Sequence, residues 1–568
     1  MNDFARLPRS SMTVWRRVGS RSHSLLAMDV RAQITNKLWT AKVLAETGII
    51  RPTRPDKLVR IGMALQRWGP TPAAGYTAAA IRFPDETAIV DELGTLTFLD
   101  VHRRTNALAN ALADAGINEG DGIAIMCRNH RGFIDATVAC SKLGAHALYL
   151  NTAFAGPQIT DVVDREKPAA LIYDSEFEEL IHDAGKRRKR FIAWQEDPEK
   201  KAKDPLLEEL IEGGDVSDPV PPGEKGRVVI LTSGTTGTPK GANRSQPESL
   251  DPAAALFSKI PFRARETTMI AAPMFHSWGF AHFTLAMSLA STLVLRRKFD
   301  PETTLQAVAE HEATVLAVVP VMLQRTLELS DEVIERYDTS SLRIVAASGS
   351  ALPGELALKV MDHFGDVLYN LYGSTEVAWA TIATPEDMRA APGTAGRPPR
   401  GTIVKIYDEE GKQQEACGTG RIFVGNEMLF EGYTGGGNKD LIDGLMATGD
   451  VGHFDEGGRL FVDGRDDEMI VSGGENVFPR EVEDLLHDHN GVEEVAVIGV
   501  EDEKFGQRLK AFVVAAKSSK PSEDELKKHI KSNLAGYKVP RDIVFLDELP
   551  RNATGKILKR ELAEADDE

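Results

Sequence analysis

Between Ser233 and Gly241 the chain reads SGTTGTPKG, a loop of small residues, hydroxyls and one lysine directly after the apolar run Val228 to Leu231. Small residues let backbone N–H groups approach phosphate oxygens, the hydroxyls add donors, and Lys240 adds charge. The nearest template is the P-loop, G-x-x-x-x-G-K-[ST]. It fails twice, because Pro239 stands where the second glycine belongs and Gly241 where the magnesium-holding hydroxyl belongs. A P-loop also begins a helix at its lysine and aims that helix at the phosphate; Pro239 and Gly241 argue against such a helix here. The loop therefore reads as a phosphate binder of another kind. A generic flexible turn would not explain so many donors after a buried strand.

Three further stretches carry groups that suit a nucleotide. In VLYNLYGSTEVAWA a strand ends at Tyr369 or Asn370 and the loop YGSTE follows. There Tyr372 can stack on a flat base, Thr375 can donate to a phosphate and Glu376 can ligate magnesium, which takes one or two carboxylates plus substrate phosphates. In LMATGDVG, Asp450 can accept from two ribose hydroxyls, a role acidic residues have in nucleotide sites; a turn aspartate before a strand is the plain alternative. Arg465, in GRDDEMIVSGGENVFPREVE, can bind phosphate or ribose, and Lys556, in PRNATGKILKR, sits in a glycine-flanked loop. Taken singly, YGSTE is an ordinary loop, GRDDEM a charged linker and Lys556 one surface lysine among many.

The elements that must position these groups follow from pattern and composition. At 568 residues the chain exceeds what one hydrophobic core organises, so two or more domains are expected. Hydrophobic residues at 42% and charged residues at 27% describe a soluble globular protein. The net charge of −18 opposes polyanions, so no nucleic-acid partner is expected. The basic run KRRKR at 186–190 is followed by the acidic QEDPEKKAKDPLLEEL and reads as solvated surface. Cys127, Cys140 and Cys417 are too few and scattered for a disulfide framework or a cysteine zinc site, which points to a reducing, cytoplasmic compartment. No stretch reaches the roughly 18 consecutive apolar residues of a membrane span.

From about residue 85 the texture is α/β. TAIVDELGTLTFLDV reads as a hairpin turning at Glu92–Leu93–Gly94, RRTNALANALADAG as a helix ending at Gly116, GIAIMCRN as a strand, DATVACSKLGA as a helix and HALYLN as a strand. That alternation predicts parallel sheets with crossover helices. Near 401, short strands with glycine turns mark a β-rich subdomain, and after GRLFVDGRDDEM a compact α+β module of about a hundred residues follows. The expected organisation is an extension over 1–74, a large domain over 75–465 and a small mobile domain over 466–568. Within the extension, Arg6, Arg9, Arg16, Arg17, Arg21 and Arg31 face only Asp3 and Asp29, a transit-peptide composition. An unstructured start, upstream of an initiator at Met12 or Met28, is the reading preferred. KLVRIGMALQRW places Leu58, Ile61, Met63 and Leu65 among Lys57, Arg60 and Arg67. Such a basic amphipathic helix is a candidate for peripheral contact with an anionic membrane, although packing its apolar face on its own domain is the commoner outcome.

Together, in this order and spacing, these motifs resemble the adenylate-forming superfamily of acyl-CoA synthetases, luciferases and peptide-synthetase adenylation domains, over roughly residues 75 to 562. SGGENVFPREVE and VPRDIVFLDELPRNATGKILKR look most like the bacterial fatty-acyl-CoA synthetases. The resemblance implies that Thr232, Ser233, Gly234, Thr235, Thr236, Gly237 and Lys240 hold the β- and γ-phosphates of ATP. It implies that Gly349, Ser350 and Ala351 enclose the adenine with Tyr372, with Gly373 and Ser374 in the same nucleotide loop. Thr375 would contact the α-phosphate, Glu376 the Mg2+, Asp450 and Arg465 the ribose. Lys556 would bridge the attacking carboxylate and the α-phosphate. Asp467 would be the hinge about which the small domain turns to remove Lys556 and bring Gly473 and Gly474 to the pantetheine thiol of coenzyme A. In PMFHSWGF, His276 and Trp278 would stand where the acid enters, with His276 equally readable as a structural histidine, and Val377, Ala378 and Trp379 would line the acyl pocket. The glycine-rich TGGGNKD at 434–440 departs from the more defined segment of relatives.

The implied activity is a fatty-acid–CoA ligase for medium or long chains, with a homodimer compatible with the sequence. An acyl-AMP ligase loading a carrier-protein thiol is the rival; no phosphopantetheine-serine carrier motif is fused here. A luciferase has nothing to recommend it, and Pro239 and Gly241 disfavour a P-loop ATPase or kinase. A non-catalytic nucleotide binder does not explain the complete set of residues.

Overall fold

The computed structural model describes residues 35–186, 188–232, 240–243, 249–433, 438–472, 475–502, 506–517, 519–552 and 555–564. Two α/β sheets form the large domain. In the first, six parallel strands run in the spatial order Leu368–Tyr372, Ile344–Ala347, Val315–Val318, Thr267–Ile270, Thr292–Leu295, Thr87–Asp91, and an antiparallel strand closes each edge. In the second, Val228–Thr232, His146–Tyr149, Gly122–Met126, Ala170–Asp174 and Lys189–Trp194 are parallel. Most of their strand residues are apolar and buried, as expected where helices cover both faces. The hairpin expected at Glu92–Gly94 is present between Thr87–Asp91 and Gly94–Thr97.

One boundary moves for a local reason. The helix expected from Arg103 begins at Phe98, because the Thr97 hydroxyl accepts from the Asp100 N–H while the Asp100 carboxylate accepts from the Thr97 N–H. That reciprocal cap satisfies donors the first turn would otherwise leave open. The basic run at 186–190 becomes in part an edge strand, Lys189–Trp194, and the Lys189 ammonium donates to the carbonyl of Gly116 at 3.0 Å.

The β-rich unit is a five-stranded antiparallel sheet built on the long strand Leu445–Phe454, which pairs with Gly420–Gly425, Leu441–Ile442 and Leu460–Arg465. The small C-terminal domain packs Pro479–His487 and Glu523–Asn533 around Val492–Asp502 and Gly506–Ala515, with Asp542–Leu546 added in parallel. The chain is thus mixed α/β with a large N-terminal domain and a smaller C-terminal one. No helix among the described residues is long and apolar enough to cross a membrane.

Ahead of the sheets lie three helices: α1 (35–46), α2 (Pro55–Trp68) and α3 (Pro72–Arg82). Val43 and Leu44 of α1 enter one apolar cluster with Leu256, Ile260, Phe262 and Leu371 of the large domain. Asn36 and Thr40 both donate to the Asp251 carboxylate at the start of the helix Asp251–Lys259, Thr40 at 2.5 Å. The Arg400 guanidinium sits 4.4 Å from the centre of the Trp39 ring. Thr40 is buried, so removing its acceptor leaves a buried hydroxyl unpaired. Asp251→Ala should therefore cost about 1–3 kcal/mol, read as an earlier denaturant midpoint; an unchanged midpoint would mean that α1 is held by its apolar face alone.

Candidate active site

Ligands in parallel α/β sheets bind beyond the carboxyl ends of the strands, and three loops leave the first sheet at that edge. Val315–Val318 leads to Val319–Val321, Ile344–Ala347 to Ser348–Ala351, and Leu368–Tyr372 to the YGSTE loop. The Ser348 hydroxyl donates to the Leu371 carbonyl at 2.7 Å and ties the second loop to the third strand. In the YGSTE loop the chain folds back tightly. A Cβ on Gly373 would lie 2.1 Å from the Ala378 carbonyl oxygen, so only glycine fits, and Ala378 itself holds φ +62°. A non-glycine residue in that region is strained and marks a backbone fixed by its surroundings.

The β-rich unit supplies the opposite wall. Asp450 stands across from Arg465 in adjacent strands, with the Arg465 Nη1 donating to Asp450 Oδ1 at 3.3 Å. The Tyr372 hydroxyl donates to Asp450 Oδ2 at 2.5 Å and joins the two units. Burial raises the Asp450 carboxyl, and Arg465, the Tyr372 hydroxyl and Lys556 pull the other way. Burial, reinforced by Asp450, pushes the Tyr372 phenol well up, so it stays a donor. Tyr372 was read from sequence as a stacking ring; the structure adds that its hydroxyl is engaged by the ribose candidate. Glu376 accepts from the Tyr433 hydroxyl at 2.8 Å, and its backbone carbonyl accepts from the Phe430 N–H. Sequence reasoning missed Tyr433, because nothing in EGYTGGG signals a partner 57 residues away.

Lys556 reaches this wall from the small domain. The Arg551 guanidinium donates to the Gly555 carbonyl at 2.6 Å and pairs with Glu494 at 2.9 Å, and the Asn552 side chain accepts from the Lys556 N–H. Gly555 holds φ +78° and lies so close to the large domain that an added Cβ would be 2.2 Å from Val321. Consequently His276, Gly349, Ser350, Ala351, Tyr372, Gly373, Ser374, Thr375, Glu376, Asp450, Arg465 and Lys556 all line one cleft of about 880 Å³.

The phosphate-loop candidates divide. Ser233, Gly234, Thr235, Thr236 and Gly237 lie outside the described residues, as do Gly473 and Gly474, and for Thr232, Lys240 and Asp467 only the backbone is described. That backbone is informative. Thr232 pairs with Lys240 in an antiparallel hairpin of Val228–Thr232 and Lys240–Asn243, so the lysine opens a strand and not a helix. No helix begins at Lys240, as expected from Pro239 and Gly241. Leu231, one residue before the end of the first hairpin strand, lines the cleft.

The other end of the cleft is apolar, walled by Leu256, Ile260, Phe262, Leu285 and Leu371. Val43 and Leu44 of α1 pack in one apolar cluster with Leu256, Ile260, Phe262 and Leu371 of that wall. Both tryptophan N–H groups are already used, Trp278 on the Val318 carbonyl at 2.9 Å and Trp379 on Thr402 at 3.2 Å. His282 donates from Nδ1 to the Trp278 carbonyl at 3.2 Å, which leaves Nε2 buried and unpartnered. Burial lowers both His276 and His282 to about 4, so each imidazole is neutral at pH 7.

Among the described residues the one cluster of metal-ligand types is Cys127, His130 and Asp174, away from the cleft. It is a hydrogen-bonded network: His130 Nδ1 accepts from the Gly132 N–H and Nε2 faces Asp174 Oδ1 at 2.8 Å, so neither ring nitrogen is free for an ion. The cleft itself offers Glu376. One carboxylate suits Mg2+ that arrives with a triphosphate, and so the donor set fits.

The segment joining the domains is clamped from both sides. Arg421 pairs with Asp466 at 3.0 Å on the large-domain side. On the other, Lys559 pairs with Glu468 at 3.1 Å and with Glu483 at 2.9 Å. Burial draws the Lys559 ammonium down, but the two carboxylates more than compensate and hold it above its ordinary value.

Against known proteins, the profile described as AMP-binding enzyme matches residues 76–434, and that of the AMP-binding enzyme C-terminal domain matches 481–556. The chain is 32% identical over 489 residues to a feruloyl-CoA synthase of an Amycolatopsis species, covering 84% of this chain and 96% of the relative. It is 29% identical over 490 residues to the fatty acid–[acyl-carrier-protein] ligase ScoC of Streptomyces coeruleorubidus, covering 84% and 93%. The o-succinylbenzoate CoA synthetase of Bacillus subtilis, solved with the acyl-adenylate OSB-AMP, superposes with a TM-score of 0.74 at 27% identity, over 86% of this chain and 97% of that one.

The Gly555–Val321 contact yields a direct test. Gly555→Ala adds both strain and a collision, so amide exchange across residues 549–558 should quicken about tenfold or more while the melting temperature stays within about 2 °C. Unchanged exchange would show that Val321 makes room and that the loop is not seated by this contact.

Proposed function

The chain belongs to the AMP-binding enzyme family, and from that premise we propose that it is an AMP-forming acid–CoA ligase. The single observation that carries this reading is the convergence of Lys556, Tyr372, Asp450, Arg465 and Glu376 on one cleft that continues into an apolar pocket. A carboxylate is a poor electrophile, and two anions must meet at the α-phosphorus of ATP, so the catalytic demand is for positioning and for cations. Asp450 accepts from the ribose hydroxyls, and Tyr372 and Arg465 fix its two oxygens for that task. Lys556 spans the attacking carboxylate and the α-phosphate. Thr375 donates to that phosphate, the SGTTGTPKG loop holds the outer phosphates, and Glu376 would hold Mg2+, which when bound neutralises phosphate charge. One carboxylate oxygen bonds to the α-phosphorus as the bond to pyrophosphate breaks. A thiolate then attacks the acyl carbon, the C–O bond breaks and AMP leaves with the oxygen it received.

The two steps need different groups in one cleft, and the clamps around Asp467 suit a turn between them. Arg465 and Asp466 are anchored to the large domain through Asp450 and Arg421, whereas Glu468 is anchored to the small one through Lys559. Rotation is left to the backbone at Asp467. It would withdraw Lys556 and present Gly473 and Gly474 to the pantetheine arm.

For the acid, we read a compact apolar body, aryl or medium-chain. The wall is apolar and packs on Val43 and Leu44 of α1, and His282 Nε2 is an acceptor in want of a donor such as a ring hydroxyl or N–H. A long-chain fatty acid, within the range expected from sequence, is the less favoured substrate in this reading. The named relatives act on both kinds of acid, feruloyl and fatty. His276, neutral at pH 7, orients the carboxylate by hydrogen bonding and not by charge. Coenzyme A is the proposed acceptor; the carrier-protein ligase among the relatives makes the alternative acceptor concrete.

The test is a split assay with ATP, magnesium and a panel of aryl and straight-chain acids, with and without coenzyme A. Pyrophosphate release and thioester formation should be fastest for aryl and medium-chain acids. Lys556→Ala should slow adenylation by about a hundredfold or more while sparing thioester formation from preformed acyl-adenylate. Release of ADP, or equal loss of both half-reactions, would overturn the reading.

A further inference from the structure

The helix α2 is built inside out. Its inner side buries Ala64 and Trp68 beside α3, as a packed helix should. Its outer side shows Leu58, Val59, Met63 and Leu65 to solvent, at 54%, 64%, 48% and 48% exposure. With Gly62 and Gln66 between them, these residues make an outward arc that carries no charge. A helix at a protein–water boundary normally turns its polar face outward. The sequence expectation that this apolar face packs on its own domain is thus overturned for these residues. Six of the fifteen large apolar side chains exposed among the described residues fall between Leu38 and Leu65, so the feature is a patch and not scatter.

The patch has a cationic frame. From Thr35 to Arg82 there are eight Lys and Arg against Glu46 and Asp56, in a chain whose net charge is −18. Arg51, Arg54 and Arg60 are exposed, Arg54 paired with Asp56 at 3.0 Å, and Arg51 and Arg265 each lie close enough to Arg82 to repel it. Three occupants for the apolar arc can be compared by charge. A second copy in a two-fold contact would bring the same cations face to face. The chain's own first 34 residues, with six arginines against two aspartates, carry the same sign. An anionic lipid surface takes both features at once, accepting the apolar residues at the headgroup boundary and the arginines at its phosphates. We propose that α2 docks on an anionic membrane surface through Leu58, Val59, Met63 and Leu65, framed by Arg51, Arg54 and Arg60. The proposal does not depend on the ligase reading.

The test is flotation of the full chain with vesicles of phosphatidylcholine containing about 30% phosphatidylglycerol, against phosphatidylcholine alone. The wild type should float with the anionic vesicles and dissociate as salt rises from about 0.1 to about 0.5 M. The exposed double change Val59→Glu with Met63→Glu should reduce flotation about tenfold or more, without altering the melting temperature or turnover of a water-soluble acid. The proposal is overturned if the wild type does not float, if the double variant floats equally well, or if light scattering finds a dimer that the double variant separates.

Discussion

The hydrogen bond from Tyr372 to Asp450, completed by Arg465, is the contact on which the rest depends. It joins the last parallel strand of one sheet to the central strand of another, and Arg465 is the residue from which the chain departs for the small domain. Three units are therefore referenced to a single part-buried carboxylate. An unpaired carboxylate there would be costly, because burial penalises the charged form. The two donors keep the charged form within reach and fix both oxygens in direction, as the proposed contact with ribose hydroxyls requires.

The same economy governs the approach of Lys556. Its position comes from short contacts. Gly555 lies on Val321, Arg551 holds the Gly555 carbonyl, and Lys559 holds Glu468 three residues past Arg465. Lys559 lies three residues after Lys556 and opens the short helix Lys559–Glu564, so its pair with Glu468 links the lysine's loop to the proposed pivot.

Much of this was legible in the sequence, and the remainder was hidden for identifiable reasons. Strand–helix alternation gave the parallel sheets because apolar runs and glycine turns are local signals. Pro239 and Gly241 excluded a helix at Lys240 for the same reason, and Lys240 indeed opens a strand. The start of the helix at Phe98 was also local but overlooked, since Thr97 and Asp100 form a reciprocal cap. By contrast, Tyr433 on Glu376, Asp251 on Thr40 and Val43 against the apolar wall are pairings across dozens to hundreds of residues. Nothing in either partner's neighbourhood announces them. The direction of α2 was ambiguous in principle: periodicity reveals that a helix has an apolar face, not which side of the molecule that face meets.

The central claim is that a carboxylate oxygen attacks the α-phosphorus and is left behind on AMP. Turnover of an acid labelled with oxygen-18 in both carboxylate positions, followed by mass spectrometry of the nucleotide, tests it most directly. The account predicts one labelled oxygen in each AMP and none in pyrophosphate. Unlabelled AMP, or label in orthophosphate alongside ADP, would contradict it.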